Sequence, residues 1–417
     1  MKVSNEETVK RRNRGMTWLL LVLAVTPGLS IADNACVSTS QELDQALQTA
    51  AGAGGDWTIQ IERGDYDMSK SVLESFEFPN FQSPDQLDND QDGKLDVDDN
   101  IQYVLTDSTS IALLCGYAPK CTSRVVDADN TKLFDATAPR RLAIRVQQSA
   151  KLTISGCGFR DTMLWVVHGG QDSLSGNGEG LNPITGHSEI VLGRNKFSAN
   201  EFGPELLIQE EGALLTSYIV GKTQEYRNLS SPHIVLRQNI FTTDADTSAC
   251  AVNIGDRSGY AADSADVIDN YYFGDLKLFG RLDMLHNSVG GNSGCGIKIL
   301  TQDPVYMANN IIAGNGEGKS DIYFSGAASL WSEFNLYNKF QHSSDLALTS
   351  IGDQKGVPGF RNAANGDLRL RSDSQALDHG TIASKLGEPS VDALDNSRIW
   401  GPLPDLGAYE FFMTLPR

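Results

Sequence analysis

From about residue 140 the chain repeats one pattern. A short apolar stretch leads to Asn, then to an apolar or aromatic residue, then to a Gly/Asn/Asp turn. The copies are IVLGRNKF (190–197), IVLRQNIF (234–241), ADVIDNYYF (265–273), LDMLHNSV (282–289), VYMANNII (305–312) and LWSEFNLY (330–337). LTISGCGF (152–159) is the same unit with Cys157 in the Asn place. The Asn residues stand at 195, 239, 270, 287, 310 and 335, separated by 44, 31, 17, 23 and 25. Most gaps are near one coil of a β-solenoid and the longest is near two. Short strands at such a period mark a solenoid, in which a coil buries its face only against its neighbours. An Asn column at the bend suits an inward amide ladder running from coil to coil. Positions three and five before each Asn are almost all apolar and are assigned to the core. Positions one and four before it are mixed and are assigned to the outer surface.

One helix is predicted ahead of the repeats. Thr39-Ser40-Gln41-Glu42 reads as a capping box, and Leu43, Ala46, Leu47 and Ala50 then fall on one face. Trp57 to Ile61 follows as a strand. Further upstream, Lys10, Arg11, Arg12 and Arg14 precede the apolar run Met16 to Val25, and Ser30-Ile31-Ala32 fits a small-x-small cleavage site. Residues 1–32 therefore read as a secretory signal peptide, too short in its apolar run to remain as a span. The expected division is 1–32 signal, 33–70 cap and first strands, 71–122 an insertion, 123–345 coils, and 346–417 a closing segment. The chain has 34 basic and 53 acidic residues, a net charge of −19. Cleavage after Ala32 removes five basic and two acidic residues, leaving 29 − 51 = −22. Such a balance argues against nucleic acid or an anionic membrane as partner.

Secretion permits disulfides among the six cysteines. Cys115 and Cys121 flank a short turn and are the expected pair. Cys250 and Cys295 fall two coils apart in this alignment, roughly 9–10 Å, and are expected not to bond. Residues 88–99 read DNDQDGKLDVDD, a calcium loop of the D-x-D-x-D-G kind. Asp88, Asp90, Asp92, the Lys94 carbonyl, Asp96 and Asp99 are the expected calcium ligands, with Gly93 at the sharp turn. Asp99 replaces the commoner Glu and weakens the twelfth position.

Several tracts resemble right-handed parallel β-helix proteins of the pectate-lyase-like class. Glu42-Leu43 to Ala46-Leu47, then Ile59-x-Ile61-x-x-Gly64-x-Tyr66, resembles their leading cap. Residues 123–137 resemble their early coils. Asp367 to Leu370, Ala376 to Gly380, and PDLGAYEF (404–411) resemble a closing segment of secreted bacterial β-helix proteins. The resemblance implies an all-β fold, a single right-handed parallel β-helix with a capping helix and a calcium-loop insertion. It is weak for activity, because this scaffold hosts lyases, hydrolases, epimerases and non-enzymatic surface proteins. The chain stops five residues after Phe412, with no anchor following, so free secretion of a monomer is expected.

Stacking the repeats on the Asn column puts Asp266 beside Asp283 and Asp269 beside His286, with Tyr306 and Trp331 further along. Paired carboxylates and a His can serve glycoside hydrolysis, and neighbouring aromatic faces can bind sugar rings. Arg194, Lys196 and Arg237, with His233, form the alternative set. A uronic-acid lyase needs a base and a cation against the sugar carboxylate. Two functions are thus expected from the residues. One is a secreted polysaccharide lyase or hydrolase working in an outer groove; the other is a non-catalytic, calcium-stabilised glycan-binding or surface protein.

Overall fold

The computed structural model describes residues 33–68 and most of 103–412; 69–102, 170–184, 199–205, 243–249 and 255–280 are the longest internal stretches outside it. The signal segment and the acidic loop 88–99 also lie outside the described residues.

The described strands form a parallel β-helix. One sheet has ten strands and two have eight, and in each the strands follow chain order with parallel pairing. Each full coil contributes one strand to each sheet. The last complete coil, for example, supplies Ser329–Glu333, Leu336–Tyr337 and Phe340–His342. Helix α1 (Ser40–Ala53) covers the first coils. Thr39 caps it, its Oγ1 accepting from Glu42 N at 3.2 Å, while the Glu42 carboxylate accepts from Ser38 N. Leu43, Leu47 and Ala50 are buried.

The period-two pattern of each strand decides which side chains enter the core. Ile190, Ile234, Leu282, Val305 and Leu330, five before the Asn, are all buried. So are Leu192, Leu236, Met284 and Met307, three before it. Phe159, Phe197 and Phe241 stack inside with centroids 4.8 Å apart.

The Asn ladder is continuous. Each Asn Oδ1 accepts from the backbone N–H and the side-chain amide of its neighbour in the preceding coil. The order is Asn195, Asn239, Asn287, Asn310, Asn335. Asp353 closes the far end by accepting from Asn335 N at 2.8 Å. At the near end Asn195 Oδ1 accepts from Cys157 N, and Cys157 is bonded to Cys115.

Two expectations fail here for one reason. The strand His233–Arg237 pairs directly with Arg281–Leu285, and Asn239 bonds directly to Asn287. No rung therefore stands between Asn239 and Asn287, and the copy at 265–273 lies outside the described residues. Cys250 and Cys295 then sit in neighbouring coils, with Cα atoms 4.3 Å apart, and are bonded. The expected Cys115–Cys121 pair is also wrong. Cys121 bonds Cys36 across to the first strand, and Cys115 bonds Cys157 in the next coil. Closeness along the chain lost to stacking between coils, which brings strand neighbours within disulfide reach whatever their separation.

The segment after residue 376 does not add a coil. It runs back along the solenoid as a strap over one row of turns. That row is the residue before each ladder position: Arg194, Gln238, His286, Asn309 and Phe334, all with φ between 52° and 56°. Thr381 exchanges two 2.8 Å hydrogen bonds with the Asn309 side chain. Arg398 reaches His286, Val391 O accepts from the Gln238 amide, and Asp395 pairs with Arg194 and accepts from Val126 N. The strap thus passes four successive coils, from the C-terminal end toward the N-terminal end.

Candidate functional site

The outer face of the ten-stranded sheet carries three short rows set by strand register. Lys151, Glu189, His233 and Arg281 form the first. Thr153, Val191, Val235, Asp283, Tyr306 and Trp331 form the second. Ser155, Gly193, Arg237 and Leu285 form the third. Where the strap crosses, Pro389, Ser390 and Val391 wall a cleft of about 610 Å³ over these rows. Gly193 leaves its floor open, since a Cβ there would have only the Arg237 carbonyl oxygen within 4 Å, at 3.8 Å. The polar groups that meet in the cleft are Glu189, Arg194, His233, Arg237, Gln238 and Asp283.

Asp283 is the fixed point. Its side chain is only 1 % exposed. Oδ2 accepts from His233 Nε2 at 2.8 Å, and Oδ1 accepts from Arg281 Nε at 2.5 Å. With one oxygen held by a guanidinium, the carboxylate acts as acceptor on both sides, so Nε2 is assigned as the donor of the His233 ring and Nδ1 as its free lone-pair nitrogen. The His233 side chain is 43 % exposed, so the ring is both oriented and reachable. Glu189 is engaged by Lys151 at 3.0 Å. Arg194 is engaged by Asp395 of the strap. The buried Nε of Arg237 has no hydrogen-bond partner among the described residues.

The expected site residues divide accordingly. Asp283, Arg194 and Arg237 come together in the cleft with His233. Asp266 and Asp269 lie outside the described residues, and the coil alignment that set them beside Asp283 and His286 does not hold. Lys196 leaves its turn on the other side of Asn195, faces the second sheet, and pairs with Asp129 at 2.8 Å. Tyr306 and Trp331 do share one outer row, but they are not an open sugar platform. Tyr306 is buried, its hydroxyl donates to Glu333 Oε2 at 2.5 Å and accepts from Lys385 N, and Lys385 Nζ lies 3.2 Å from the centroid of the Trp331 ring. The strap covers them.

His286 is covered too, and fully buried. Arg398 Nη2 donates to its Nδ1 at 2.5 Å, and its Nε2 lies 3.1 Å from Asn309 Nδ2 and 2.7 Å from Glu388 Oε1. That contact is short but poorly aligned, and neither Glu388 oxygen has a hydrogen-bond partner among the described residues. Burial and the adjacent Arg398 charge hold His286 well below the usual imidazole range. Burial pushes the Glu388 and Glu410 carboxyls up to about 7. This cluster fastens the strap, and with His286 fully buried beneath it the ring has no access to a substrate. PDLGAYEF serves the same end: Asp405 accepts from Asp378 N and Phe411 N, and Glu410 from Trp400 N and Asp405 N.

Glu388, Arg398 and the cleft-lining Glu189 were not visible as site residues from the chain alone. Arg398 sits far from any repeat, and nothing in its neighbours marks it for burial against His286. Glu189 was within reach of the repeat alignment, as the row-mate of His233. The cluster of Cys36, Glu62 and Cys121 is not a metal site, because both sulfurs are in a disulfide. No helix among the described residues is long and apolar enough to cross a membrane. No protein-family model matches the chain, and no curated protein matches it.

Proposed function

We propose that this is a secreted β-helix protein that takes an acidic polysaccharide into the lateral cleft and cleaves it by β-elimination. The observation that carries the reading is the convergence of a carboxylate-oriented histidine with Arg237 in one open cleft. Neutral His233 Nδ1 removes the proton on the carbon next to a uronate carboxylate. Arg237 offsets the charge that builds on that carboxylate, which acidifies the same C–H bond. The neighbouring C–O bond then breaks, a C=C bond forms, water in the open cleft protonates the departing oxygen, and His233 returns its proton to solvent. Asp283 orients the ring and does not itself exchange the proton.

The hydrolase alternative is weaker on the same geometry. It requires one carboxyl that donates a proton and a second that attacks or activates water. Asp283 has both oxygens engaged and almost no exposure, and Glu189 is paired with Lys151. The chain's overall charge of −19 opposes a polyanion, but within the cleft Arg194 and Arg237 match Glu189 and Asp283 charge for charge, and the Nε of Arg237 has no hydrogen-bond partner among the described residues. The three disulfides and the signal-like start support secretion. The calcium loop 88–99 is part of the proposal as a structural cation site.

The test is a digest of a polysaccharide panel with and without calcium, following reducing ends and ultraviolet absorbance of unsaturated uronates. The expected result is both signals together, with kcat falling about 10²–10⁴-fold in His233→Gln. Reducing ends without absorbance would mean hydrolysis. Silence in both from a folded protein that still binds the glycan would establish the non-catalytic reading instead.

A further inference from the structure

A second concavity lies on the other side of the turn row. On the outer face of one eight-stranded sheet is a pocket of about 190 Å³ that shares no residue with the cleft. Asp129, Lys132, Gly158, Arg160, Lys196 and Ser198 line it. Register explains the grouping. Lys132, Gly158 and Lys196 occupy one row in three successive coils, and Arg160 and Ser198 stand opposite each other two residues on. Two strand spacings separate the lysine backbones by about 9.6 Å. No side chain stands between them, because a Cβ on Gly158 would meet the Ala128 carbonyl oxygen at 2.3 Å.

Three cations therefore face one small space. Lys196 is held by Asp129, its Nζ bonding both carboxylate oxygens at 2.8 and 3.0 Å. Lys132 and Arg160 have no ionic partner among the described residues, so the lining carries +3 − 1 = +2. Like charges gathered on one sheet face are destabilising, and a bound anion removes that cost. On a chain of net charge −19 this concentration stands out. The volume is below the roughly 300–1,000 Å³ of sites for drug-sized ligands, so it suits one anionic group and its ring, not a chain.

We propose that this pocket is an anion subsite that takes the sulfate or carboxylate group of an acidic saccharide. The Arg160 guanidinium meets two oxygens side by side, Lys132 acts as a point charge, and the Ser198 hydroxyl donates a further bond. The saccharide half of the assignment rests on the proposed function. The anion half does not.

The experiment is a thermal-shift titration of the mature protein with sodium sulfate, galacturonate and neutral galactose, at ionic strength held constant with sodium chloride. Ligand that binds only the folded state raises the transition temperature saturably. Sulfate, galacturonate or both should do so and galactose should not; which anion acts separates a sulfate ester from a uronate. In Lys132→Ala/Arg160→Ala the apparent Kd should rise at least tenfold, and the same rise should appear when the pair is replaced on an Arg237→Ala background, where the cleft no longer offers its own carboxylate partner. Circular dichroism checks that the variants fold, which is expected because neither side chain is buried. An equal response to galactose, or an unaltered Kd in the double variant, would overturn the proposal. Anion binding that persists in a protein inactive on every polysaccharide would sink the lyase reading alone.

Discussion

Removing one amide from the middle of the ladder tests the logic of the fold. Asn287 is fully buried. Its Nδ2 donates to Leu236 O at 2.8 Å and to Asn310 Oδ1 at 2.9 Å, and its Oδ1 accepts from Asn239 N at 3.0 Å and from Asn239 Nδ2 at 3.1 Å. In Asn287→Ala, Asn310 Oδ1 keeps the Asn287 N–H and Asn239 Nδ2 keeps Leu192 O. The Asn239 N–H loses its acceptor, and Leu236 O loses its side-chain donor. An orphaned buried backbone group costs about 1–3 kcal/mol, and a lost intramolecular bond costs about 1 kcal/mol more. With the small cavity included, the expected loss is about 3–5 kcal/mol. Asn287→Asp should cost at least as much at neutral pH, since it turns a donor into a charged acceptor facing two oxygens. Asn130→Ala, at an exposed turn, should stay within about 0.5 kcal/mol. Urea unfolding followed by circular dichroism reads the total. Amide exchange reads the coils one by one, which matters because a solenoid can open locally. A loss under about 1 kcal/mol, with protection at Asn239 unchanged, would show that the ladder does not tie the coils together.

Three further outcomes are expected. Peptide mapping without reduction should recover Cys36–Cys121, Cys115–Cys157 and Cys250–Cys295; replacing both Cys115 and Cys157 by Ser should cost about 4 kcal/mol from the 42-residue separation they close, and a Cys115–Cys121 peptide would contradict the coil stacking. Glu388 and Glu410 titrate near 7 when folded and near 4.5 when unfolded, so the folded state binds more protons and stability should fall as pH rises through that interval. His286 acts with the opposite sign below about 6.5, so the comparison belongs between pH 6.5 and 8, where Glu388→Gln should flatten the slope; an unchanged slope in a urea series would refute the assignment. Calcium titration of the mature protein by calorimetry should show a site lost in Asp90→Asn/Asp92→Asn, with the solenoid's circular dichroism unaltered; equal heats in the variant would remove calcium from the 88–99 loop.

The chain alone determined the parts that depend on local periodicity. Alternation five and three places before each Asn marked the core correctly, because a strand has only two faces and one must be buried. The capping box located the helix, since it is closed by neighbours in sequence. The Asn column was legible for the same reason, and so were Arg194 and Arg237 as outer residues of adjacent coils. What depends on which coil stacks on which was decided only in three dimensions. The repeat motif also occurs at 265–273, yet His233–Arg237 pairs directly with Arg281–Leu285 and Asn239 with Asn287, so no further rung stands between those two coils. That direct pairing accounts for the Cys250–Cys295 bond and removes the alignment on which Asp266 was set beside Asp283. The strap has no period at all, so nothing in residues 377–411 announced that it would bury His286 and Tyr306, cover Trp331, and wall a cleft. Its position is set by contacts between residues about 70 to 270 apart in sequence, such as Thr381 with Asn309 and Asp395 with Val126. Only the folded solenoid brings such groups within hydrogen-bonding distance.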